Sequence, residues 1–354
     1  MTEHGLTPVI LEEFLNNVAR EFGCRTVVDP FIGSGTVAVE ALKYCYSVIG
    51  IDANPWALIV TKTKTTKPKQ QLVELMEQLL ATVREPLVPS KRLHDYHTHR
   101  QLEVLGNIRA AIERLNGDEQ VLALTVFGEL AYNYSLLKRT PAPQFRKSIR
   151  DPNWTIVVEE YIKKLRTAIE DLWATQYCGD VQLIFADSAE WLPRRIECLV
   201  TSPPFANNVD YIRHTMLYLL WAGIAKDSKD LGWLRSIQTP SCEAATRSWR
   251  QQTTNPIVLQ LVESIRGKRA KGYRRFLLQY FYTMERHIEL LAERLEGIAW
   301  YTIGDSILGG VYIPTHRIIA DIAVKHGLRT RIKTIGERFR EGRNLYLLEI
   351  VKRY

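Results

Sequence analysis

The stretch Val27-Val28-Asp29-Pro30-Phe31-Ile32-Gly33-Ser34-Gly35-Thr36 constrains the fold of this chain more than any other. An apolar run ends at Asp29, a turn with two glycines follows, and Val37-Ala38-Val39-Glu40-Ala41-Leu42 continues with helical spacing. The next apolar run, Ser47-Val48-Ile49-Gly50-Ile51, ends in Asp52 and is followed by Ala53-Asn54-Pro55. This is strand, glycine turn, helix, strand, an order that brings backbone amides close to a nucleotide-like ligand. Gly33 and Gly35 admit positive φ and close approach. An acid at the end of the second strand is placed to accept hydrogen bonds from ribose hydroxyls. The full dinucleotide fingerprint G-x-G-x-x-G is absent.

The same alternation resumes far along the chain. Strands are expected at Val181 to Ala186 and Cys198 to Thr201, a helix at Tyr211 to Ile224, and a long helix from Phe276 to Arg294. Strand Gly297 to Ile303 follows, then a loop with Gly309-Gly310, a helix Thr315 to His326, and strands Leu328 to Thr334 and Leu345 to Val351. Strands alternating with helices and closing in a hairpin imply a doubly wound, mostly parallel α/β sheet with one antiparallel strand. Between the two halves, Thr61 to Lys69 has the composition of a basic linker. Helical spacing then recurs at residues 70 to 92, Arg100 to Leu115, Glu119 to Leu137 and Thr155 to Thr175. The expected organisation is a core of residues 1–62 and 177–354 with a mostly helical insertion, 63–176. Residues 225–275, irregular and basic, are a candidate target-recognition region within the core.

A second feature carries chemistry. The apolar run Ile196-Glu197-Cys198-Leu199-Val200 ends in Thr201-Ser202-Pro203-Pro204-Phe205. Two prolines fix φ twice and remove two backbone donors, so the strand stops in a stiff, extended turn. The proline carbonyls keep their lone pairs, Ser202 adds a hydroxyl, and Phe205 adds a flat face. The set suits a planar ligand with an amino group. Taken alone, it suits a proline-terminated strand with a core phenylalanine equally well.

Together the two segments resemble the S-adenosylmethionine-dependent amino-methyltransferases that modify DNA. Asp29 to Thr36 is similar to the family's cofactor motif, usually D-P-F-x-G-S-G-T, and Thr201 to Phe205 to its catalytic motif, usually [DNS]-P-P-[YFW]. Leu6-Thr7-Pro8 resembles the segment that precedes the glycine turn and contacts the methionine end of the cofactor. Asp187, in Phe185-Ala186-Asp187-Ser188, fits the position that bonds the adenine amine. The resemblance implies a seven-stranded class I methyltransferase, Rossmann-like sheet and S-adenosyl-L-methionine as cofactor. It places Thr7, Asp29, Phe31, Gly33, Gly35, Thr36, Asp52, Ala53, Asp187, Ser188 and Thr201 around that cofactor, and makes Ser202, Pro203, Pro204 and Phe205 the catalytic group. The expected reaction is direct transfer of the methyl to an exocyclic amine of a base flipped out of the duplex. Serine as the first motif residue implies cytosine N4, with adenine N6 or structured RNA as the alternative acceptor. Phe205 stands where tyrosine is commonest, keeping the stack and losing a hydroxyl. A non-catalytic nucleic-acid-binding protein with this fold is the alternative from another class. A ring-carbon mechanism would need a thiolate beside a proline, and Cys198 lies inside the strand instead.

Asn207 and Arg213, with Asn208, Asp210 and Tyr211, follow the catalytic motif and are candidates to line a base pocket; capping and turn formation account for the two asparagines and Asp210 equally well. Arg266, Lys268, Arg269, Lys271, Arg274 and Arg275 form the densest basic run and are candidate phosphate contacts. Arg139, Arg146, Lys147 and Arg150 form a second, sparser patch. The formal charge of +8 favours a polyanionic partner such as DNA. The five cysteines are odd in number and lack a C-x-x-C pair, which suggests reduced thiols in a cytoplasmic protein without a disulfide framework. His94, His97 and His99 fit a solvated loop better than a metal site, and no metal is expected. No signal-peptide pattern or membrane-length apolar run appears, so no membrane partner is expected.

Overall fold

A computed structural model of the chain describes residues 8–140, 143–149, 152–337 and 344–352. Its main sheet has seven strands: β1 Thr26–Asp29, β2 Ser47–Asp52, β3 Val181–Phe185, β4 Ile196–Thr201, β5 Leu295–Gly304, β6 Leu328–Glu337 and β7 Asn344–Lys352. Their order is β6-β7-β5-β4-β1-β2-β3. The strands β5, β4, β1, β2 and β3 run parallel, and β7 is antiparallel to both β5 and β6. This is the doubly wound class I methyltransferase, Rossmann-like sheet. The central strands are buried on both faces, so β4 and β5 are near-continuous apolar runs, where a half-exposed strand would alternate.

The chain builds two compact units. The first comprises the described parts of Met1–Asn54, Tyr177–Asp210 and Leu234–Tyr354; the second comprises Pro55–Gln176 and Tyr211–Trp233. The first holds the sheet, and its core is filled from the long helix Ala270–Arg294, which buries Phe276, Leu277, Tyr280, Phe281, Met284, Ile288 and Leu291. The i, i+4, i+7 spacing of these residues is a stripe down one helix face.

The second unit is helical. Its helices are Pro55–Thr65, Leu72–Thr82, His99–Glu113, Gly117–Tyr134, Trp154–Ala174 and Tyr211–Trp221. Thr98 and Gln101 form a capping box at the third, and Asn153 caps the fifth through its side chain. The helices Gly117–Tyr134 and Pro55–Thr65 approach closely because Gly128 lacks a Cβ, which would lie 3.1 Å from the Trp56 ring.

Several expectations change here. The expected linker at Thr61 to Lys69 is helical as far as Thr65, and the boundary between the units lies at Asn54/Pro55. The hydroxyls of Thr63 and Thr65 bond back to the carbonyls of Ile59 and Thr61, at 3.0 and 2.9 Å. These are internal helix contacts that composition disguises as solvated polarity. The helix Tyr211–Trp221, expected in the core, belongs to the second unit. Residues 225–275 are not irregular: they contain the helices Ser228–Ser236 and Pro256–Ser264 and the start of Ala270–Arg294. Glycine within the basic run hides that start. Gly272 is interior to the helix, and a Cβ there would require the end of the Glu243 side chain to move aside. The Gly309-Gly310 loop is a tight hairpin between strands Ser306–Leu308 and Val311–Ile313, with φ of +55° and +80°.

The cysteines also differ from expectation. Cys24 is joined to Cys198 and Cys45 to Cys178, leaving Cys242 free and buried. The partners are 174 and 133 residues apart, so spacing gives no sign of them. Strand adjacency does: Val27 on β1 is in register with Cys198 on β4. His97 is not in a solvated loop. It is buried against Trp221, with its ring nitrogens 3.3 Å and 3.2 Å from the carbonyls of Leu93 and Ala131, and burial lowers its pKa to about 4. Among the described residues no helix is long and apolar enough to cross a membrane.

Candidate functional site

Sheet order locates the site. From β1 the chain steps outward through β2 to β3, then returns to the other side of β1 as β4 and continues to β5. The order therefore reverses between β1 and β4, and a crevice opens at their carboxyl ends, where ligands of such sheets bind. Asp29 ends β1, Asp52 ends β2, Asp187 follows β3, and Ser202 follows β4. All four lie at the same edge of the sheet.

Asp29 is buried, and its Oδ1 accepts from the Phe31 N–H at 3.1 Å and from the Thr201 hydroxyl at 2.6 Å. The second bond crosses the reversal point and ties β1 to β4. Thr201 is fully buried. Expected as a cofactor contact, it is instead half of a staple that sets how far the two strand ends stand apart.

Gly33 and Gly35 have φ of +52° and +80°, and Gly35 caps the helix Thr36–Lys43. The Gly33 N–H donates to Asp52 Oδ2 at 2.9 Å, and the Asn54 N–H donates to Asp52 Oδ1 at 2.7 Å. Asp52 thus pins the glycine turn to the end of β2, and each carboxylate oxygen retains a lone pair for a ligand. Asp187 Oδ1 accepts from the Ala189 N–H at 3.1 Å and from the Thr239 hydroxyl at 3.3 Å. The Ser188 hydroxyl beside it is buried without a hydrogen-bond partner.

Burial is the main force on these acids. It raises Asp29 to about 7 against the bonds from Thr201 and Phe31, and raises Asp52 and Asp187 to about 6. Charge adds to it: Asp52 raises Asp29, and Asp187 raises Asp52. A row of one buried and two half-buried carboxyls that repel one another favours a ligand rich in donors and positive charge. S-adenosyl-L-methionine is such a ligand, with amines, hydroxyls and a sulfonium. The carboxylate acceptors, the unpartnered Ser188 hydroxyl and the glycine turn fit it.

The turn after β4, residues 202–205, has no titratable group. The Ser202 hydroxyl donates to the Thr302 carbonyl on β5 at 3.3 Å, which directs its proton away and leaves the oxygen lone pairs free to accept. The Pro204 carbonyl, expected to be free, accepts from the Tyr280 hydroxyl at 2.9 Å. No hydrogen bond to the Pro203 carbonyl occurs among the described residues. Phe205, expected to offer a stacking face, is 3% exposed and packed in protein. Asn208 adopts φ +62° and accepts from the Glu243 N–H at 2.8 Å, so it is a turn former. Asn207 Oδ1 is buried without a partner.

Behind the crevice, His287 links the two halves. Burial lowers its pKa to about 4, so the ring is neutral. One nitrogen lies 3.1 Å from the Ser188 carbonyl, which can only accept, so Nδ1 carries the proton. Nε2 then accepts from the Tyr301 hydroxyl at 2.7 Å, and the ring meets Phe31 at 5.2 Å between centroids. Sequence reasoning missed His287, Tyr280 and Tyr301. The one available signal is that Tyr280 and His287 stand seven residues apart on one helix face.

The basic run divides. Arg266 bonds the carbonyls of Glu263 and Ile265, Arg269 pairs with Glu243, and Arg274 donates to the Ile265 carbonyl at 2.8 Å. Arg266 and Arg274 thus finish the end of the helix Pro256–Ser264. Lys268, Lys271 and Arg275 are exposed. Arg213 belongs to the second unit, where it reaches the Pro143 carbonyl at 3.5 Å. There Arg139 is tied to Glu129 and the Tyr218 hydroxyl, each at 2.7 Å, and stacks over Tyr132. Thr7 and Arg150 lie outside the described residues.

Comparison with known proteins bears on this geometry. The chain is 26% identical over 284 residues to the Type II methyltransferase M.BsoBI of Geobacillus stearothermophilus, a match covering 68% of this chain and 55% of that one. It therefore spans little more than half the length of that curated relative. A solved structure, the rRNA methyltransferase aviRa from Streptomyces viridochromogenes, aligns over 99% of this chain and 87% of its own at 12% identity. Its TM-score of 0.30 is too low to carry an argument. The model of the D12 class N6 adenine-specific DNA methyltransferases matches residues 5–190, more than half of the chain. Methyltransferases of this family use S-adenosyl-L-methionine, and the chain belongs to that family.

Proposed function

We propose that this protein transfers a methyl group from S-adenosyl-L-methionine to the exocyclic amine of a base in DNA, and that the base is adenine, modified at N6. The observation that carries the reading is the meeting, at one reversal point of the sheet, of the acids at the ends of β1 to β3 with the Ser202-Pro203-Pro204 turn that follows β4. The cytosine N4 expected from Ser202 is not carried forward, because the family match runs to adenine-specific enzymes. The relative's designation as a Type II methyltransferase fits a restriction-modification role.

In this reading Asp52 accepts the ribose hydroxyls and Asp187 the adenine amine of the cofactor. Gly33, Gly35 and Thr36 let backbone approach its amino-acid end, and Phe31, Ala53 and Ser188 line the remainder. Asp29 and Thr201 act indirectly, by setting the spacing of the crevice. When bound, the cofactor supplies an electrophilic methyl on a sulfonium. A nucleobase amine is a poor nucleophile because its lone pair is delocalised into the ring. Ser202 Oγ and the Pro203 carbonyl accept its two N–H bonds, which favours a pyramidal nitrogen and localises the pair. The Tyr280 bond to Pro204 and the Thr302 bond to Ser202 hold these acceptors in place, so little reorganisation is needed at the moment of transfer. Phe205, packed in protein, holds the turn that carries these acceptors against the flipped nucleotide. Lys268, Lys271 and Arg275 contact phosphates.

The test is transfer of a labelled methyl to duplex DNA, single-stranded DNA and structured RNA. Label is expected in DNA, and Ser202→Ala should lower turnover by about 100-fold or more with the cofactor Kd unchanged. Label confined to RNA, or an equal collapse of cofactor binding, contradicts the reading.

A further inference from the structure

Residues 236–250, which follow the helix Ser228–Ser236, have no part in the mechanism above, yet they run across the cofactor half of the crevice. Gln238 Nε2 donates to the Ala53 carbonyl at 3.4 Å, just past the end of β2. The hydroxyl of its neighbour Thr239 donates to Asp187 Oδ1, just past the end of β3. One dipeptide thus spans the ends of two adjacent strands. Arg250 secures it from behind: its Nη2 donates to the carbonyls of Ser236 at 2.6 Å and Gln238 at 2.7 Å. Thr239 is buried, and Arg250 is half-buried beside the exposed Trp249 ring.

The charges around Asp187 explain why such a strap is useful. Asp52 and Glu190 face it with like charge, and burial penalises its ionised form most of all. Among the described residues three groups oppose them: the Ala189 N–H, the Arg250 guanidinium and the Thr239 hydroxyl. Arg247 in turn repels Arg250. The Ala189 contact is backbone and fixed, so Thr239 and Arg250 are the two side chains on which Asp187 as an acceptor depends.

We propose that Thr239 and Arg250 are positioning residues for the cofactor: they hold the Asp187 carboxylate oriented as an acceptor for an adenine amine. This rests on the assignment of Asp187 to the nucleoside end of S-adenosyl-L-methionine. The strap adds a hydrogen bond to the carboxylate, and the guanidinium, locked by two carbonyls, cannot swing away to solvent. An uncharged side chain at 250 leaves the carboxylate facing Asp52 and Glu190 without a cation. Its proton affinity then rises, and near neutral pH the group becomes a weaker acceptor.

The experiment measures the Kd of the full chain for S-adenosyl-L-methionine and for its demethylated product by calorimetry, from about pH 5.5 to about pH 8.5. Arg250→Met should weaken binding roughly tenfold near pH 6.5 and move the midpoint of the pH profile up by about one unit, the loss shrinking at the alkaline end. Arg250→Lys, which keeps the charge, should restore the midpoint. Thr239→Val should weaken binding about threefold. A loss independent of pH and equal for Arg250→Met and Arg250→Lys overturns the proposal, because it shows the strap to be only scaffolding. If Asp187→Asn weakens binding while the Thr239 and Arg250 variants are silent, this inference fails alone. If Asp187→Asn is silent, the cofactor assignment beneath it fails. Should Arg250→Met not fold, the Thr239→Val and Arg250→Lys profiles decide the matter.

Discussion

The two sides of the crevice are built by opposite means. On the cofactor side, Asp29, Asp52 and Asp187 are acids held by backbone N–H groups and hydroxyls, and all titrate above their ordinary range. On the side of the turn after β4, residues 202–205 are uncharged, and they are fixed by the Thr302 carbonyl, the Tyr280 hydroxyl and the stiffness of two prolines. The difference teaches where each kind of failure should appear. Changes on the catalytic side should reach turnover and leave cofactor binding alone. Changes on the cofactor side should reach affinity, and should carry the pH dependence.

The largest expected effect is that of Phe205→Ala. Truncating a buried aromatic costs about 3–5 kcal/mol, and a displaced catalytic turn should lower turnover by roughly 100-fold. Denaturant unfolding and single-turnover kinetics check the two parts. A stability loss with normal turnover in the surviving folded protein would break the comparison. Next comes Asp52→Ala, which strips the acceptor from the Gly33 and Asn54 N–H groups at about 1–3 kcal/mol each. Cofactor Kd should rise at least tenfold while turnover at saturating cofactor stays within a few-fold, as titration and steady-state rates can show.

Tyr280→Phe removes one hydrogen bond from the Pro204 carbonyl and should cost about 1 kcal/mol. Its signature is a modest fall in turnover at constant cofactor affinity. A shift in affinity would place Tyr280 on the wrong side. Apart from these stands the pH effect of Asp29→Asn, read as a slope with pH. Folding lifts Asp29 to about 7, so the folded chain keeps a proton that the unfolded chain gives up near pH 4. Wild-type stability should therefore fall as pH rises from about 4 to about 7 through this group. The asparagine cannot titrate, so the variant's stability should gain on wild type across that window. A difference that stays flat with pH contradicts the burial argument.

Much of the architecture was legible because it is local. The glycine turn and the acids at strand ends need only a few residues to declare themselves, and β1 to β7 fall where apolar runs predict them. What was not legible depends on residues that meet only after folding. Thr201 looked like a ligand contact until Asp29, 172 residues away in sequence, took its hydroxyl. The cysteines looked unpaired because strand order, not spacing, brings Cys24 to Cys198. Tyr280 and His287 left only their shared helix face as a sign, and Thr239 left none. The stretch 225–275 misled through composition: glycine and arginine suggest irregular chain, yet Gly272 lies inside the helix Ala270–Arg294.

The most direct test of the central claim is digestion of DNA modified by this protein to nucleosides, with mass spectrometry to identify the methylated base. The account predicts N6-methyldeoxyadenosine, lost with Ser202→Ala. N4-methyldeoxycytidine would overturn the adenine assignment while leaving the amine chemistry intact. A methyl group on a ring carbon, or none in any DNA, would contradict the account at its centre.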